Sequence, residues 1–340
     1  MIRLVDKLRD TRNLTKEEWI TLLENPAPEL AEYVFQEARK VREQFYGKEV
    51  YMRGLIEFSS YCKNDCYYCG LRRSNGKASR YRLTKEEILE CCAQGDALGF
   101  RTFVLQSGED AFFTDEKLVE IISAIKESYP HCAVTLSIGE REKESYQKFF
   151  DAGAERFLLR HETYNCEHYA KLHPTALSAR HRQECLWELK RIGYQVGCGF
   201  LVGSPYQKAE YLAEDMLFIG KLQPQMVGIG PFIPHKDTPF AEKPAGSLEQ
   251  SLYLLGLLRL LLPKAWLPAT TALSSIYPEG RELGILAGAN VVMPNLTPAH
   301  LRKKYSLYDG KLSTGAEAAE HLEELKKRMQ KIGYQINEQI

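Results

Sequence analysis

From Gly47 onward the sequence alternates between short apolar runs and longer amphipathic stretches. The apolar runs are rich in β-branched and aromatic residues and lie near residues 50–57, 102–106, 132–137, 156–159, 194–201, 226–230, 265–270 and 290–293. Stretches with helical spacing separate them, at 84–98, 114–128, 142–152, 164–191 (in two pieces), 207–221, 247–261 and 279–287. Strands that alternate with helices predict a parallel sheet, and eight such units are the number that closes a (β/α)8 barrel. We therefore predict an α/β fold built on a complete (β/α)8 TIM barrel.

Helical segments flank the predicted barrel at both ends. Thr15 and Glu18 have the spacing of a capping box, and Glu29–Phe45 is a charged amphipathic run. The stretch Thr314–Lys331 predicts one more amphipathic helix. No Gly/Ser-rich linker or change in composition marks a domain boundary. We expect an N-terminal helical extension over 1–46, the barrel over 47–310 and a C-terminal helix packed on the barrel within 311–340.

The charge balance argues against a nucleic-acid or membrane partner. The 340 residues include 45 Lys and Arg and 45 Asp and Glu, so no net field attracts a polyanion. The first 30 residues contain neither the apolar region nor the cleavage site of a signal peptide. The most apolar stretch, Leu252–Leu262, contains Arg259 and is too short to cross a bilayer. We therefore expect a cytoplasmic protein with reduced thiols.

Three cysteines lie within eight residues directly after the first apolar run. Cys62, Cys66 and Cys69 form a C-x3-C-x2-C pattern, which can hold three corners of a 4Fe-4S cluster. No fourth cysteine is nearby, so one iron would keep an open coordination position. Zinc is the alternative, but structural zinc usually takes a second pair of ligands, which this sequence lacks at zinc spacing. The odd total of nine cysteines argues against a disulfide framework.

The predicted barrel also places the site. In this fold, active-site residues lie at the C-terminal ends of the strands, and polar or glycine-containing strings follow the apolar runs here. These strings are Gln106-Ser107-Gly108-Glu109-Asp110, Ser137-Ile138-Gly139-Glu140, Arg160-His161-Glu162-Thr163, Gly203-Ser204-Pro205, Gly230-Pro231-Phe232-Ile233-Pro234-His235, Thr270-Thr271 and Met293-Pro294-Asn295.

The cysteine motif resembles the radical S-adenosylmethionine (SAM) superfamily, whose signature is C-x3-C-x-aromatic-C, with Tyr68 as the aromatic residue. Within it, the stretch Val41–Tyr308 is similar to the HydE family of FeFe-hydrogenase maturases, in a subgroup with biotin synthase and methylornithine synthase. The longer strings that carry this similarity are Cys69-Gly70-Leu71-Arg72-Arg73, Leu105–Asp110, Leu159–Thr163, Val227–His235, Pro268–Ala272 and Gly288–Asn295.

The resemblance implies an enzyme that reductively cleaves SAM at a single 4Fe-4S cluster and forms a 5′-deoxyadenosyl radical. It implies that the cysteine triad holds the cluster and that Ser107-Gly108-Glu109 meets the SAM amine. Glu162 corresponds to the ribose contact, Arg182 to the carboxylate contact, and Tyr68 to the adenine contact. The implied SAM-binding residues are Tyr68, Gln106, Ser107, Gly108, Glu109, Ser137, Glu162, Arg182 and Ile229.

The resemblance also implies a cavity that binds a small anion. The corresponding lining residues are Arg156, Arg160, Thr270, Thr271 and Met293. Alternatives remain open for most of them: the arginines could form salt bridges with Glu155 or Glu162, and the threonines could be ordinary strand residues.

A HydE-like role implies partners as well. The substrate would be a small, cysteine-ligated iron carbonyl cyanide species passed from another hydrogenase maturase, and ferredoxin or flavodoxin would supply the electron in an anaerobic or low-oxygen cell. Many relatives have a second cysteine triad near the C-terminus, whereas this chain has no cysteine after Cys198, which predicts one cluster. The alternatives are a methylornithine synthase-like amino-acid mutase and a non-catalytic iron-sulfur scaffold or electron carrier.

Overall fold

The computed structural model describes residues 1–24 and 26–337. Asn25 and the last three residues of the predicted C-terminal segment, 338–340, lie outside the described residues. The strands are β1 (Glu49–Met52), β2 (Gly54–Ser59), β3 (Thr102–Ser107), β4 (Ala133–Ser137), β5 (Arg156–Leu158), β6 (Gln195–Cys198), β7 (Leu201–Val202), β8 (Met226–Val227), β9 (Gly230–Pro231), β10 (Val291–Val292) and β11 (Gln335–Asn337).

The helices alternate with these strands after an N-terminal group of three. They are α1 (Ile2–Thr11), α2 (Lys16–Leu23), α3 (Pro28–Tyr46), α4 (Lys85–Ala97), α5 (Asp115–Ser128), α6 (Lys143–Asp151), α7 (Cys166–Leu172), α8 (Ala179–Ile192), α9 (Ala209–Leu222), α10 (Leu248–Leu261), α11 (Thr271–Ile276), α12 (Gly280–Leu286), α13 (Ala299–Arg302) and α14 (Leu322–Lys331). The capping box predicted at Thr15 and Glu18 is present at the start of α2, and the same device starts α4 at Thr84.

The strands form parallel ladders, as the alternation predicts. Six of them pair in the order β2-β3-β4-β5-β6-β8, β7 pairs with β9, and β1 lies between β10 and β11. The hydrogen bonding is thus divided among three sheets rather than one eight-stranded sheet. Single bridges link the six-stranded sheet with the region of the three-stranded sheet, at Leu55 with Asn295, Met226 with Trp266 and Pro268 with Val291. The α/β class and the parallel sheet are therefore confirmed.

The apolar run predicted as a strand at 265–270 forms only isolated bridges, at Trp266 and Pro268. Pro268 has no N–H to donate to a neighbouring strand, which limits a regular ladder there. This segment nevertheless lies between Met226 and Val291, where the alternation places a seventh strand.

The apolar α10 is buried on all sides by the rest of the protein. A Cβ on Gly256 would lie 2.7 Å from Val34 on α3, so the two helices pack closely there. Tyr253 donates a hydrogen bond to the Leu22 carbonyl oxygen at 3.0 Å, which ties α10 to α2. The apolar composition of α10 therefore serves a helix–helix core. Among the described residues, no helix is long and apolar enough to cross a membrane.

The C-terminal segment differs from the single helix predicted over Thr314–Lys331. Two short 3₁₀ turns precede α14, which begins at Leu322. Tertiary contacts hold this stretch in a non-helical form: Gly315 has φ 60°, and the Glu317 carbonyl oxygen accepts a hydrogen bond from Asn295 N at 2.8 Å. The unpredicted β11 then pairs in parallel with β1. The C-terminal segment thus contributes the edge strand β11 to the sheet, in addition to the helix α14.

Candidate active site

A cavity of about 350 Å³ lies at the C-terminal ends of the strands, where the sequence predicts the site. Residues from nearly every strand end, far apart in sequence, line it. Of the predicted site residues, the lining includes Cys62, Cys66, Tyr68, Cys69, Gln106, Ser107, Gly108, Glu109, Ser137, Arg160, Glu162, Arg182, Thr270, Thr271 and Met293.

Two predicted site residues do not line this cavity. Arg156 is the first residue of β5, so its side chain lies at the opposite end of the sheet, where it donates to Thr102 Oγ1 at 2.9 Å and Gln195 Oε1 at 3.0 Å. The assignment of Arg156 to the same substrate cavity is therefore corrected. Ile229 has a fully buried side chain in the hydrophobic core. Its two neighbours in the chain, Gly228 and Gly230, line the cavity instead.

The cysteine loop follows β2 and is held against the end of β3. Lys63 N donates to the Glu109 carbonyl oxygen at 2.9 Å, and Gly70 N donates to the Leu307 carbonyl oxygen at 2.8 Å. A Cβ on Gly108 would lie 2.3 Å from the Tyr61 carbonyl oxygen and 2.7 Å from Cys62 Cβ. The glycine predicted to allow a close backbone approach therefore allows the cysteine loop to sit on β3.

The three thiols are free and partly shielded from solvent. Burial raises the pKa of Cys62, raises that of Cys66 well above its ordinary value, and raises that of Cys69 to about 12. Without a bound cation the thiols are therefore protonated at neutral pH. Since the thiolate is the metal ligand, binding iron here must release protons.

The spacing of the sulfur atoms argues against a single zinc ion. The three sulfur atoms of the triad do not all lie within 4.8 Å of one another. Thiolates on one tetrahedral zinc are about 3.8 Å apart, from a Zn–S bond of about 2.3 Å. A cluster, in which each thiolate binds a different iron, suits the wider spacing.

Arg182 is the centre of a buried charge network beside the cysteine loop. Its Nε lies 2.8 Å from Glu140 Oε1, and Nη2 lies 3.5 Å from Glu109 Oε1. A Cβ on Gly139 would lie 2.1 Å from Glu109 Cγ, so only glycine leaves room for this carboxylate. Lys63 lies 3.3 Å from the other Glu109 oxygen. A zwitterionic ligand could exchange with these partners, its carboxylate facing Arg182 and its ammonium facing Glu109.

Glu162 has a backbone conformation that is rare for residues other than glycine. Its φ is 63°, in the left-handed region, where a side chain is strained. Hydrogen bonds with β-sheet neighbours hold it there: Glu162 N donates to the Gly199 carbonyl oxygen at 3.0 Å, and its own carbonyl oxygen accepts from Leu201 N at 3.2 Å. The result is that the carboxylate lies in the cavity wall. Strain at a site-lining acid is typical of a functional position.

Arg160 combines a salt bridge with a place in the cavity wall. Its Nη2 lies 3.3 Å from Glu162 Oε2 and donates to the Phe200 carbonyl oxygen at 2.7 Å. The Nε atom has no hydrogen-bond partner among the described residues. The alternative of an Arg160–Glu162 pair is therefore confirmed, and the guanidinium, whose side chain is 31% exposed, also lines the cavity, where an anion could meet it.

Thr270 and Thr271 are not strand residues, because they lie at the start of α11. Thr270 Oγ1 donates to the Ile229 carbonyl oxygen at 3.3 Å, and Thr271 Oγ1 donates to Glu317 Oε2 at 2.7 Å. Both still line the cavity.

The stacked rings of His173 and Tyr169 hold Tyr68 in place. Tyr68 Oη and His173 Nε2 are 3.1 Å apart, His173 Nδ1 and the Tyr169 carbonyl oxygen are 3.0 Å apart, and the rings of His173 and Tyr169 stack with centroids 3.8 Å apart. A neutral imidazole that donates from Nδ1 and accepts at Nε2 satisfies both contacts. Tyr169 Oη in turn lies 3.3 Å from Arg182 Nε. The stack thus connects the cysteine loop with the charge network.

We expect this stack to make the fold sensitive to acid. Burial lowers the pKa of His173 to about 3, so the imidazole stays neutral in the folded state while it takes up a proton below about pH 6.5 in the unfolded chain. Its contribution to stability is therefore present above pH 6.5 and falls as the pH drops toward 3. When the pH falls from 6.5 to 5, the wild type should therefore lose about 2 kcal/mol more unfolding free energy than His173→Phe.

The measurement is urea unfolding of the cluster-free protein at the two pH values. His300→Gln, at an exposed histidine, is the matched control and should leave the pH dependence unchanged. An identical slope of stability against pH in wild type and His173→Phe would contradict the neutral, buried imidazole.

The cavity wall also contains polar residues that sequence reasoning missed. Glu57 and Lys311 form an ion pair, and Tyr305 accepts a hydrogen bond from Gln106 at 3.4 Å. Glu140, which pairs with Arg182 beside the cavity, does stand in one of the predicted strand-end strings. Glu57 lies inside an apolar run, and Lys311 lies beyond the last predicted strand, so no local signal marked them.

Comparisons with known proteins agree with this geometry. Residues 56–219 match the Radical SAM superfamily. The chain is 46% identical over 281 residues to the [FeFe] hydrogenase maturase subunit HydE of Thermotoga maritima, covering 83% of this chain and 80% of that protein. It is 32% identical over 308 residues to 3-methylornithine synthase of Methanosarcina barkeri, covering 90% and 86%.

A solved structure has the same fold over nearly its full length. Methylornithine synthase (PylB) superposes with a TM-score of 0.82 at 28% identity, covering 99% of this chain and 98% of that one. The cysteine loop, the cavity at the strand ends and the identity over most of the chain agree, and the chain belongs to the radical SAM superfamily of enzymes, in which it is HydE-like.

Proposed function

We propose that this enzyme acts in maturation of the FeFe-hydrogenase active-site cofactor, on a small anionic, cysteine-ligated iron carbonyl cyanide species. The observation that carries the proposal is the 46% identity to HydE over most of the chain, and the Arg160 guanidinium in the cavity wall supports an anionic substrate. Ferredoxin or flavodoxin would supply the electron, and another maturase would supply the substrate.

The residues fit the cofactors that the superfamily implies. Cys62, Cys66 and Cys69 would hold one 4Fe-4S cluster, since their thiols are free and line the cavity. When bound, the reduced cluster supplies the electron that cleaves the sulfonium C–S bond of SAM into methionine and a 5′-deoxyadenosyl radical. With no cysteine after Cys198, we propose a single cluster.

The protein's own residues would bind and orient SAM. Arg182 would pair with its carboxylate and Glu109 with its ammonium, because these two side chains lie side by side at the rim of the cysteine loop. Glu162, held in the left-handed region, would accept from the ribose hydroxyls. Tyr68, fixed by His173, would lie against the adenine. The remaining proposed SAM contacts are Gln106, Ser107, Gly108 and Ser137.

The rest of the cavity would hold the substrate. Arg160, Thr270, Thr271 and Met293 line it beyond the SAM residues, and Met226 and Pro268 add apolar surface. Such a mixed polar and apolar surface would orient one substrate bond toward the radical.

We further propose that the eight strand segments close into a complete barrel, for which the single bridges at Leu55, Met226 and Pro268 are support. The catalytic unit would be residues 47–310, with helical extensions before and after it. We also propose a cytoplasmic location in an anaerobic or low-oxygen cell, because an iron with an open coordination position would react with oxygen.

The first test is SAM cleavage. After anaerobic reconstitution, dithionite and SAM should yield 5′-deoxyadenosine and methionine in equal amounts, measured by chromatography. An intact cluster that gives no 5′-deoxyadenosine would reject the radical mechanism and favour a scaffold or electron carrier. Formation of 3-methylornithine from an amino acid would favour the mutase, which the 32% identity to 3-methylornithine synthase keeps as the second candidate.

A further inference from the structure

Lys311 is a buried cation in the cavity wall that neither the motifs nor the site assignments above use. It lies after the last predicted strand, its side chain is 9% exposed, and Nζ is 2.6 Å from Glu57 Oε1. Glu57, on β2, is 1% exposed, and its other carboxylate oxygen accepts a hydrogen bond from Asn295 Nδ2 at 2.9 Å. The Lys311 ammonium also lies 5.3 Å from the centre of the Tyr305 ring.

The ion pair leaves hydrogen-bonding capacity on the lysine. An ammonium has three N–H donors, and within the described residues Glu57 is the one acceptor that lies within hydrogen-bond distance of Nζ. Because Lys311 lines the cavity, a ligand there can reach the remaining donors. A buried ion pair gives little net stability compared with apolar residues of similar size, so folding alone does not explain it.

The surroundings of Lys311 favour a singly charged anion. Glu57 already balances one positive charge, so a doubly charged phosphate would face a nearby carboxylate without enough cations. Tyr308 and Tyr305, whose phenols can donate hydrogen bonds, line the same cavity. A carboxylate has one charge and several acceptor positions, and therefore matches this wall.

We propose that Lys311 binds a carboxylate group of the substrate and thereby selects a molecule that contains an amino-acid moiety. The inference rests on the proposed function, because it assigns an orientation within the same cavity. Lys311 holds the carboxylate, while Arg160 remains available for another acceptor on the substrate. Lys311 is a positioning residue, and it takes no part in SAM cleavage.

The test compares two probes that differ only in the carboxylate. They are an iron carbonyl cyanide complex with cysteine as ligand and the corresponding complex with cysteamine. Each is equilibrated with the reconstituted, SAM-bound enzyme, and the free complex is measured in an ultrafiltrate by its carbonyl and cyanide infrared bands. We expect the wild type to bind the cysteine complex ~10- to 100-fold more tightly, as for loss of a charged hydrogen bond.

Lys311→Met should abolish this preference, and Lys303→Met, at an exposed lysine in the same segment, should keep it. Because Lys311→Met leaves Glu57 buried without its cation, the double variant Glu57→Gln with Lys311→Met is the second test and should also lose the preference. A preference that persists in both Lys311 variants overturns the proposal.

A wild-type enzyme that binds the two complexes equally, or binds neither, also overturns the proposal. Dithionite-driven 5′-deoxyadenosine formation by the wild type is measured in parallel. Its absence rejects the proposed radical function, whereas normal SAM cleavage by a wild type that does not prefer the cysteine complex rejects only the role of Lys311.

Discussion

Cys66→Ala is expected to leave the protein without a stable cluster and to reduce 5′-deoxyadenosine formation to the assay background. Cys66 is the middle residue of the triad, and each thiolate would hold a different iron of the cluster. No other cysteine among the described residues lines the cavity, so none is placed to replace the lost thiolate. Iron and sulfide contents and the visible absorbance of the iron-sulfur cluster measure the effect.

The exposed Cys166 provides the matched control, since Cys166→Ala removes a thiol outside the cavity. It should retain the iron content and the activity of the wild type. If Cys66→Ala retained four irons for each chain, the assignment of the ligands would be wrong.

Arg182→Met is expected to have the second largest effect, on SAM binding and on stability together. Removing the guanidinium leaves Glu109 and Glu140 facing each other in a largely buried position. Breaking a buried ion pair in this way costs about 3–5 kcal/mol of unfolding free energy. Loss of the cation that would pair with the SAM carboxylate should weaken SAM binding by at least ~10-fold.

The measurements are SAM affinity by calorimetry on the reconstituted protein and unfolding in urea. Arg180→Met, at an exposed arginine on the same helix α8, is the control and should change neither quantity. A variant that loses stability but binds SAM as the wild type does would limit Arg182 to a structural role.

The charge pairs explain why the site can exist before its ligands bind. Arg160, Arg182 and Lys311 are the cations that line the described cavity wall, and each lies near a carboxylate, on Glu162, Glu109 and Glu57 respectively. An unpaired charge in this position would be costly. Each cation has a carboxylate partner before the ligand binds. It can therefore exchange this partner for a ligand group at a moderate free-energy cost.

The regular part of the fold was predictable because its signal is local. Capping residues such as Thr84 start helices, and the alternation of apolar runs with helical stretches defines a parallel sheet. Prediction failed where tertiary contacts override local preference. The stretch from Thr314 has helical spacing, yet contacts of Glu317 with Thr271 and Asn295 hold it in another conformation.

The sequence by itself determined the chemistry. Three cysteines at fixed spacing predict the metal ligands, because chain geometry confines residues so close together to one loop, and the strings at the strand ends predict the face on which SAM would bind. The tertiary structure alone decided which charges meet: Arg182 with Glu140, Lys311 with Glu57, and Arg156 at the opposite end from Arg160. Pairs separated by up to 254 residues have no local signature, since only the closure of the chain around the cavity brings them within hydrogen-bond distance.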